Sequence, residues 1–194
     1  MSRLMIIVGS VRPGRIGLPI ATWVRDSVAA RGDFEIDWVD LAELGLPFMD
    51  EPSHPRLRTY THQHTLDWSA RVDAADAILL VTPEYNHSYS PALKNAFDFL
   101  MQEWWRKPVA FVSYGGVSGG SRGVVAFEPV ILQLGMVRVG AAVEIPFAGR
   151  LVVDGVFTPE QKEIDILEKL LDETASLVEP LRPLKNRRPA AQLG

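Results

Sequence analysis

Along this chain, short unbroken apolar runs alternate with longer stretches in which apolar residues recur at helical spacing. Leu4-Met5-Ile6-Ile7-Val8 is such a run, as a strand buried on both faces requires. Ile20, Trp23, Val24 and Val28 then mark one helical face, with Pro19 suited to the first turn and Gly32 to the stop. Phe34 to Val39 alternates apolar with polar, which predicts a strand near a sheet edge. A long irregular piece, Asp40 to about Thr59, is rich in Pro and Gly and suits a lid or an oligomer contact. A helix is expected from about Thr61 to Ala74, turning Leu66, Ala70 and Val72 inward. Ala77 to Val81 is a second unbroken run. Ser90 and Pro91 open a helix as N-cap and first residue, with Leu93, Phe97 and Leu100 as its buried stripe and Trp104 and Trp105 at its close, as core or interface. Val109 to Ser113 makes a fourth strand, and Ser121 to Leu134 a helix in which Pro129 predicts a kink. A fifth strand near Val137–Ala142 follows. Thr158-Pro159-Glu160-Gln161 then reads as the capping box of a last helix that buries Ile164, Leu167, Leu170, Leu171 and Leu177.

Five strands alternating with five helices imply an α/β fold: a doubly wound, five-stranded parallel sheet with helices on both faces and right-handed crossovers. Residues 1–182 form one expected domain, and residues 183–194, short, basic and Pro-containing, a mobile tail. Ligands of such sheets sit at the carboxyl ends of the strands, beside the point where strand order reverses. Three polar, glycine-bearing or turn-forming loops fall at those ends, after the first, third and fourth strands.

The loop after the first strand, Gly9-Ser10-Val11-Arg12-Pro13-Gly14-Arg15-Ile16-Gly17, aims backbone N–H groups and a helix start at one point. Ser10 adds a hydroxyl, and Arg12 and Arg15 add guanidinium forks suited to a phosphate. A nucleoside-triphosphate P-loop is excluded, because Gly14-Arg15-Ile16 stands where Gly-Lys-Ser/Thr is needed. The dinucleotide fingerprint is absent too, since Val11 follows Gly9 by two. A terminal monophosphate such as that of flavin mononucleotide (FMN) fits what remains, and an ordinary turn with two solvated arginines is the plain alternative. After the third strand, Pro83-Glu84-Tyr85-Asn86 offers a rigid turn, a carboxylate, an aromatic face and an amide, as a flat, partly polar ring needs. After the fourth, Tyr114 to Gly120 holds four glycines, so backbone can approach a ring edge closely.

Composition narrows the classes. The 194 residues, 47% apolar, suffice for one sizeable core. With no cysteine, disulfides, thiolate metal sites and cysteine nucleophiles are excluded. A net charge of −4 gives no pull toward nucleic acid. No apolar run reaches membrane-spanning length, and the first is too short for a signal peptide, so a cytoplasmic protein is expected. His62 and His64, two apart, should fall on different sides of a helix, and no metal site is expected.

Gly9-Ser10-x-Arg12, Pro83-Glu84-Tyr85-Asn86 with Leu93-Lys94-Asn95-Ala96-x-Asp98, and Ser113-Tyr114-Gly115-Gly116-x-x-Gly119-Gly120 together resemble the NADPH-dependent FMN reductase family, whose members include azoreductases and quinone or chromate reductases. The resemblance covers about residues 4 to 145 and implies a flavodoxin-like fold. It implies that Ser10, Arg12, Arg15, Ile16 and Gly17 line the FMN phosphate. Pro83, Glu84, Tyr85 and Asn86 would hold the isoalloxazine, and Ser113, Tyr114, Gly115 and Gly116 would meet its other edge. NADPH or NADH would be the co-substrate and a small-molecule electron acceptor the partner, with no side chain needed as catalytic acid or base. A homodimer or homotetramer with the flavin near a subunit interface is implied as well. Pro129, Ala92 and the tail beyond Arg182 depart from the family pattern. A flavodoxin-type electron carrier without NAD(P)H activity is the rival reading, and a flavin-free phosphate-binding regulator a third.

Overall fold

A computed structural model describes residues 1–185. Its sheet is built from β1 (Ser2–Val8), β2 (Phe34–Asp40), β3 (Ala77–Pro83), β4 (Pro108–Tyr114) and β5 (Val137–Ile145), all parallel, in the order β2-β1-β3-β4-β5. The three central strands carry the unbroken apolar runs, and β1, β3 and β4 are buried on both faces. Strand order reverses between β1 and β3, so the crevice beyond their carboxyl ends is where this topology receives a ligand.

Two cores flank the sheet. One packs α1 (Gly17–Arg31) and α6 (Gln161–Lys185) through Ile20, Val24, Val28, Leu167, Leu170 and Leu171. The other packs α3 (Gln63–Ala74), α4 (Pro91–Asp98) and α5 (Ser121–Gln133) around Trp68, Phe97, Trp104 and Phe127. A single-turn helix, α2 (Leu41–Leu44), and a two-stranded hairpin, β6 (Val152–Val153) with β7 (Val156–Phe157), were not foreshadowed in the apolar pattern.

Several sequence expectations are corrected here. Helix α3 faces the sheet with Thr65, Trp68, Ser69 and Val72, while Leu66 and Ala70 are exposed. The larger Trp68 ring wins the inner face because its Nε1–H reaches the Ala96 carbonyl at 2.9 Å, so no polar atom is stranded. Trp104 is wholly buried, stacked on Phe97 at 4.0 Å, and therefore belongs to the core. It lies beyond α4, which ends at Asp98. Helix α5 runs on through Pro129, whose position is exposed. The box that opens α6 sits two residues later than Thr158: the Glu163 carboxylate accepts the Glu160 N–H at 2.9 Å. In that helix Ile164 is exposed and Leu177 half-buried, and Val178 takes the inner place instead. Helix α6 continues through Lys185, and the remainder of the expected tail, 186–194, lies outside the described residues.

Candidate active site

The loop after β1 is fastened at its start. Gly9 donates its N–H to Val81 at 2.8 Å, and the Ser90 hydroxyl donates to the Gly9 carbonyl while also accepting the Leu93 N–H. Ser90 thus caps α4 and moors the loop with one side chain. A turn closed by Arg15 N–H to the Arg12 carbonyl at 3.1 Å, with Gly14 at φ 69°, leads into α1. The N-cap of α1 is Ile16, which has no side-chain oxygen, and its first turn carries no acid. The N–H groups of that turn, and the positive end of the helix dipole, are left for an external acceptor.

The two arginines of this loop do different things. Arg15 makes a two-pronged ion pair with the buried Asp40 carboxylate at the end of β2 and donates to the Ser10 carbonyl. Its charge is neutralised, so Arg15 lines the pocket as a brace that holds the loop against β2. Arg12 is exposed and makes no ion pair among the described residues. Of the two arginines expected as phosphate forks, both line the cavity, and Arg15 is already ion-paired within the protein.

The loop after β3 folds as a two-residue hairpin. Tyr85 and Ser88 exchange backbone hydrogen bonds of 2.8 and 2.9 Å, with Asn86 (φ 48°) and His87 (φ 66°) at its tip. Positive φ at both positions is the primed turn that favours Asn, which is why Asn86 stands there. Asn86 is exposed and does not line the pocket. Tyr85 reaches the first loop, its phenol oxygen 3.1 Å from the Ser10 hydroxyl oxygen. Glu84 accepts the Ser118 hydroxyl at 2.5 Å and lies 3.5 Å from Arg122, so its charge is also compensated.

The third loop is drawn tight by Ser113, which is wholly buried and donates to the Gly119 carbonyl at 2.8 Å. The Tyr114 ring reaches the start of α1. A Cβ on Gly17 would lie 2.1 Å from the Tyr114 hydroxyl oxygen, so Gly17 is what lets the ring pass. That hydroxyl is buried without a hydrogen-bond partner, and burial pushes its pKa up.

These pieces enclose a cavity of about 350 Å³ lined by Ser10, Arg12, Arg15, Ile16, Pro83, Glu84, Tyr85, Tyr114 and Gly115, together with Pro13 and Gly14. Of the residues expected there, Gly17, Asn86, Ser113 and Gly116 are absent from the lining. Gly17 and Ser113 support it from behind, and Asn86 shapes the turn. Asp40 and Ser118, and the mooring contact of the expected cap Ser90, were missed by sequence reasoning. Their roles come from contacts across 25 to 81 residues of chain, which no local pattern announces. A larger hollow of about 540 Å³ lies beyond Val11, among Leu41, Leu44, Phe48 and Pro91. It has no ionisable lining group, so the chemistry belongs to the smaller cavity.

Residues 2–149 match the family model described as NADPH-dependent FMN reductase. The chain belongs to this family. It is accordingly an oxidoreductase that works with FMN and NAD(P)H. It is 42% identical over 120 residues, 61% of this chain and 60% of the relative, to an NAD(P)H-dependent FMN reductase of Schizosaccharomyces pombe. A second NAD(P)H-dependent FMN reductase, from a Nectria species, is 34% identical over 197 residues, with 92% of this chain and 98% of that one covered. Among solved structures, the flavoenzyme NAD(P)H:(acceptor) oxidoreductase FerB of Paracoccus denitrificans superposes with a TM-score of 0.72 at 23% identity, covering 93% and 98% of the two chains. This likeness shows the shared flavodoxin-like fold.

The residues present fit an FMN phosphate. With Arg15 held by Asp40 and Glu84 met by Ser118 and Arg122, the charge left uncompensated at the cavity is that of Arg12, beside an uncapped helix start. An anion at this point satisfies both.

Proposed function

We propose that this cavity holds FMN, and that the protein passes reducing equivalents from NAD(P)H to a small-molecule acceptor: a quinone, an azo compound, a metal oxyanion or a free flavin. The observation that carries this reading is the unpaired Arg12 set beside the uncapped start of α1 at the sheet's switch point. When bound, FMN would supply the redox chemistry that links the nicotinamide to the acceptor. Arg12 and the first N–H groups of α1 would hold the phosphate. Tyr85 and Tyr114 flank the cavity with apolar ring surface that excludes water, and Gly115 keeps the third loop free of a side chain at the ring's edge. Hydride transfer is direct, so no side chain is assigned a proton to move.

The residues expected from the family motif are thereby given separate duties: Ser10, Arg12 and Ile16 at the phosphate, Pro83, Glu84, Tyr85, Tyr114 and Gly115 around the ring, and Arg15 as a brace. Among the described residues no helix is long and apolar enough to cross a membrane, and a cytoplasmic homodimer or homotetramer is part of the same reading. Titration of free FMN with the purified protein tests it. Saturable quenching of flavin fluorescence at about one FMN per chain is expected. Its absence at micromolar protein would overturn the assignment of the cavity.

A further inference from the structure

Phe147 stands just after β5 with φ 50° and ψ 38°, the left-handed region that bulky side chains rarely adopt. Its backbone is tied to the third loop of the site. Phe147 N–H bonds the Gly116 carbonyl at 2.9 Å, and Ala148 N–H bonds the Gly115 carbonyl at 3.3 Å, so this segment forms the outer layer of the third loop. Ala148 is wholly buried as the anchor, whereas the Phe147 ring is 48% exposed. Arg150 stacks its guanidinium 4.8 Å from the ring centroid and makes no ion pair among the described residues. The result is a flat aromatic surface and a cation without an ion-pair partner among the described residues, one peptide layer from Gly115 of the cavity.

On the reading that the cavity holds FMN, we propose that Phe147 and Arg150 form the subsite for the adenosine half of NAD(P)H. A purine needs an aromatic face to stack on, and its attached phosphate needs a cation fixed beside that face. The platform supplies both. It is hydrogen-bonded through its backbone to Gly115 and Gly116, and Gly115 lines the cavity, so a dinucleotide with its nicotinamide over the cavity would lay its other half across this loop. A backbone strained to keep an exposed phenyl ring in place is what a binding role demands and a bare connection does not.

The test uses the FMN-saturated protein with Phe147→Asn and Arg150→Gln. Asn tolerates the left-handed backbone and removes the ring, so the fold is kept. The expected result is a rise of about tenfold in the KM for NADPH, the order of one base-on-aromatic stack, with kcat little changed. Reduction by reduced nicotinamide mononucleotide, which lacks the adenosine half, should be the same in wild type and variants. Calorimetric titration with adenosine 2′,5′-bisphosphate should show a similar loss of affinity, a readout independent of turnover. In Arg150→Gln, a KM rise for NADPH alone places the guanidinium at the 2′-phosphate, and an equal rise for NADH places it at the diphosphate; both support the subsite. Unchanged KM and unchanged bisphosphate affinity in the two variants would overturn it, as would an equal loss with the mononucleotide or a loss of FMN. Should the wild-type protein take up no FMN, the proposed function fails, while the bisphosphate titration still reads the platform directly.

Discussion

Arg12 and Arg15, three positions apart in one loop, are held to opposite ends by their partners. Arg12→Ala should weaken FMN binding by about ten- to a hundredfold, since a charge-assisted contact contributes about 1.5–3 kcal/mol. Fluorescence titration checks this, and unchanged affinity would remove Arg12 from the phosphate site. Arg15→Ala should act on stability first, because it strands the buried Asp40 carboxylate. A loss of about 3 kcal/mol is expected in denaturant unfolding, and a change within error would contradict the brace. Tyr114→Phe should leave the stability of the flavin-free protein unchanged or slightly raised, because the hydroxyl it removes is buried and unpaired. Ser10, Arg12 and Tyr85, which the motifs singled out, line the cavity because their loops follow strands that end side by side in the sheet. Motif reading could not separate the two arginines. That distinction depends on Asp40 reaching the loop from the next strand, a contact made by the fold and invisible to spacing.

Among the elements, α3 shows where apolar periodicity misleads. Leu66 and Ala70 share a helical face, but so do Trp68 and Val72, and the heavier pair is the one turned inward. The chain between α2 and α3 also caps α3 in a way the sequence hides. His62, the residue before the helix, gives no side-chain cap, and the Glu51 carboxylate instead accepts the Thr61 N–H at 2.8 Å, the Thr61 hydroxyl at 2.9 Å and the His62 N–H at 3.0 Å. Because His62 lies outside the helix, its ring stacks on His64 at 5.2 Å, contrary to the expectation of different sides. Burial opposes the charge on Glu51, yet the Thr65 side chain together with these Thr61 and His62 hydrogen bonds outweighs it and holds its pKa at about 2, against an ordinary 4.5. A carboxyl depressed in the folded state stabilises fully above its unfolded pKa and loses that contribution as pH falls toward the folded one. The melting-temperature gap between wild type and Glu51→Gln should therefore be constant above about pH 5 and close between pH 4.5 and 2. A gap that does not vary with pH would count against the tether.

For the whole molecule, the parallel sheet covered on both sides was legible because β1, β3 and β4 have no polar face, whereas the order β2-β1-β3-β4-β5 depends on long-range pairing that no local pattern carries. The β6–β7 hairpin was not legible either, since two residues per strand leave no periodicity to read. With Trp104 committed to the core, the surface available for subunit contact shifts to Phe48, 87% exposed beside the apolar hollow, and to Leu132 on α5, 80% exposed. Light scattering at micromolar concentration should report at least twice the mass of the chain, and a monomer would contradict the oligomer. The most direct measurement is the visible spectrum of the purified, FMN-loaded protein in the absence of air, before and after NADPH is added. A yellow protein whose flavin absorption bleaches rapidly on addition of NADPH is the predicted result. Bound flavin that stays oxidised until a separate reductase is supplied would make the protein a carrier, and a protein that binds no flavin would contradict the account at its centre.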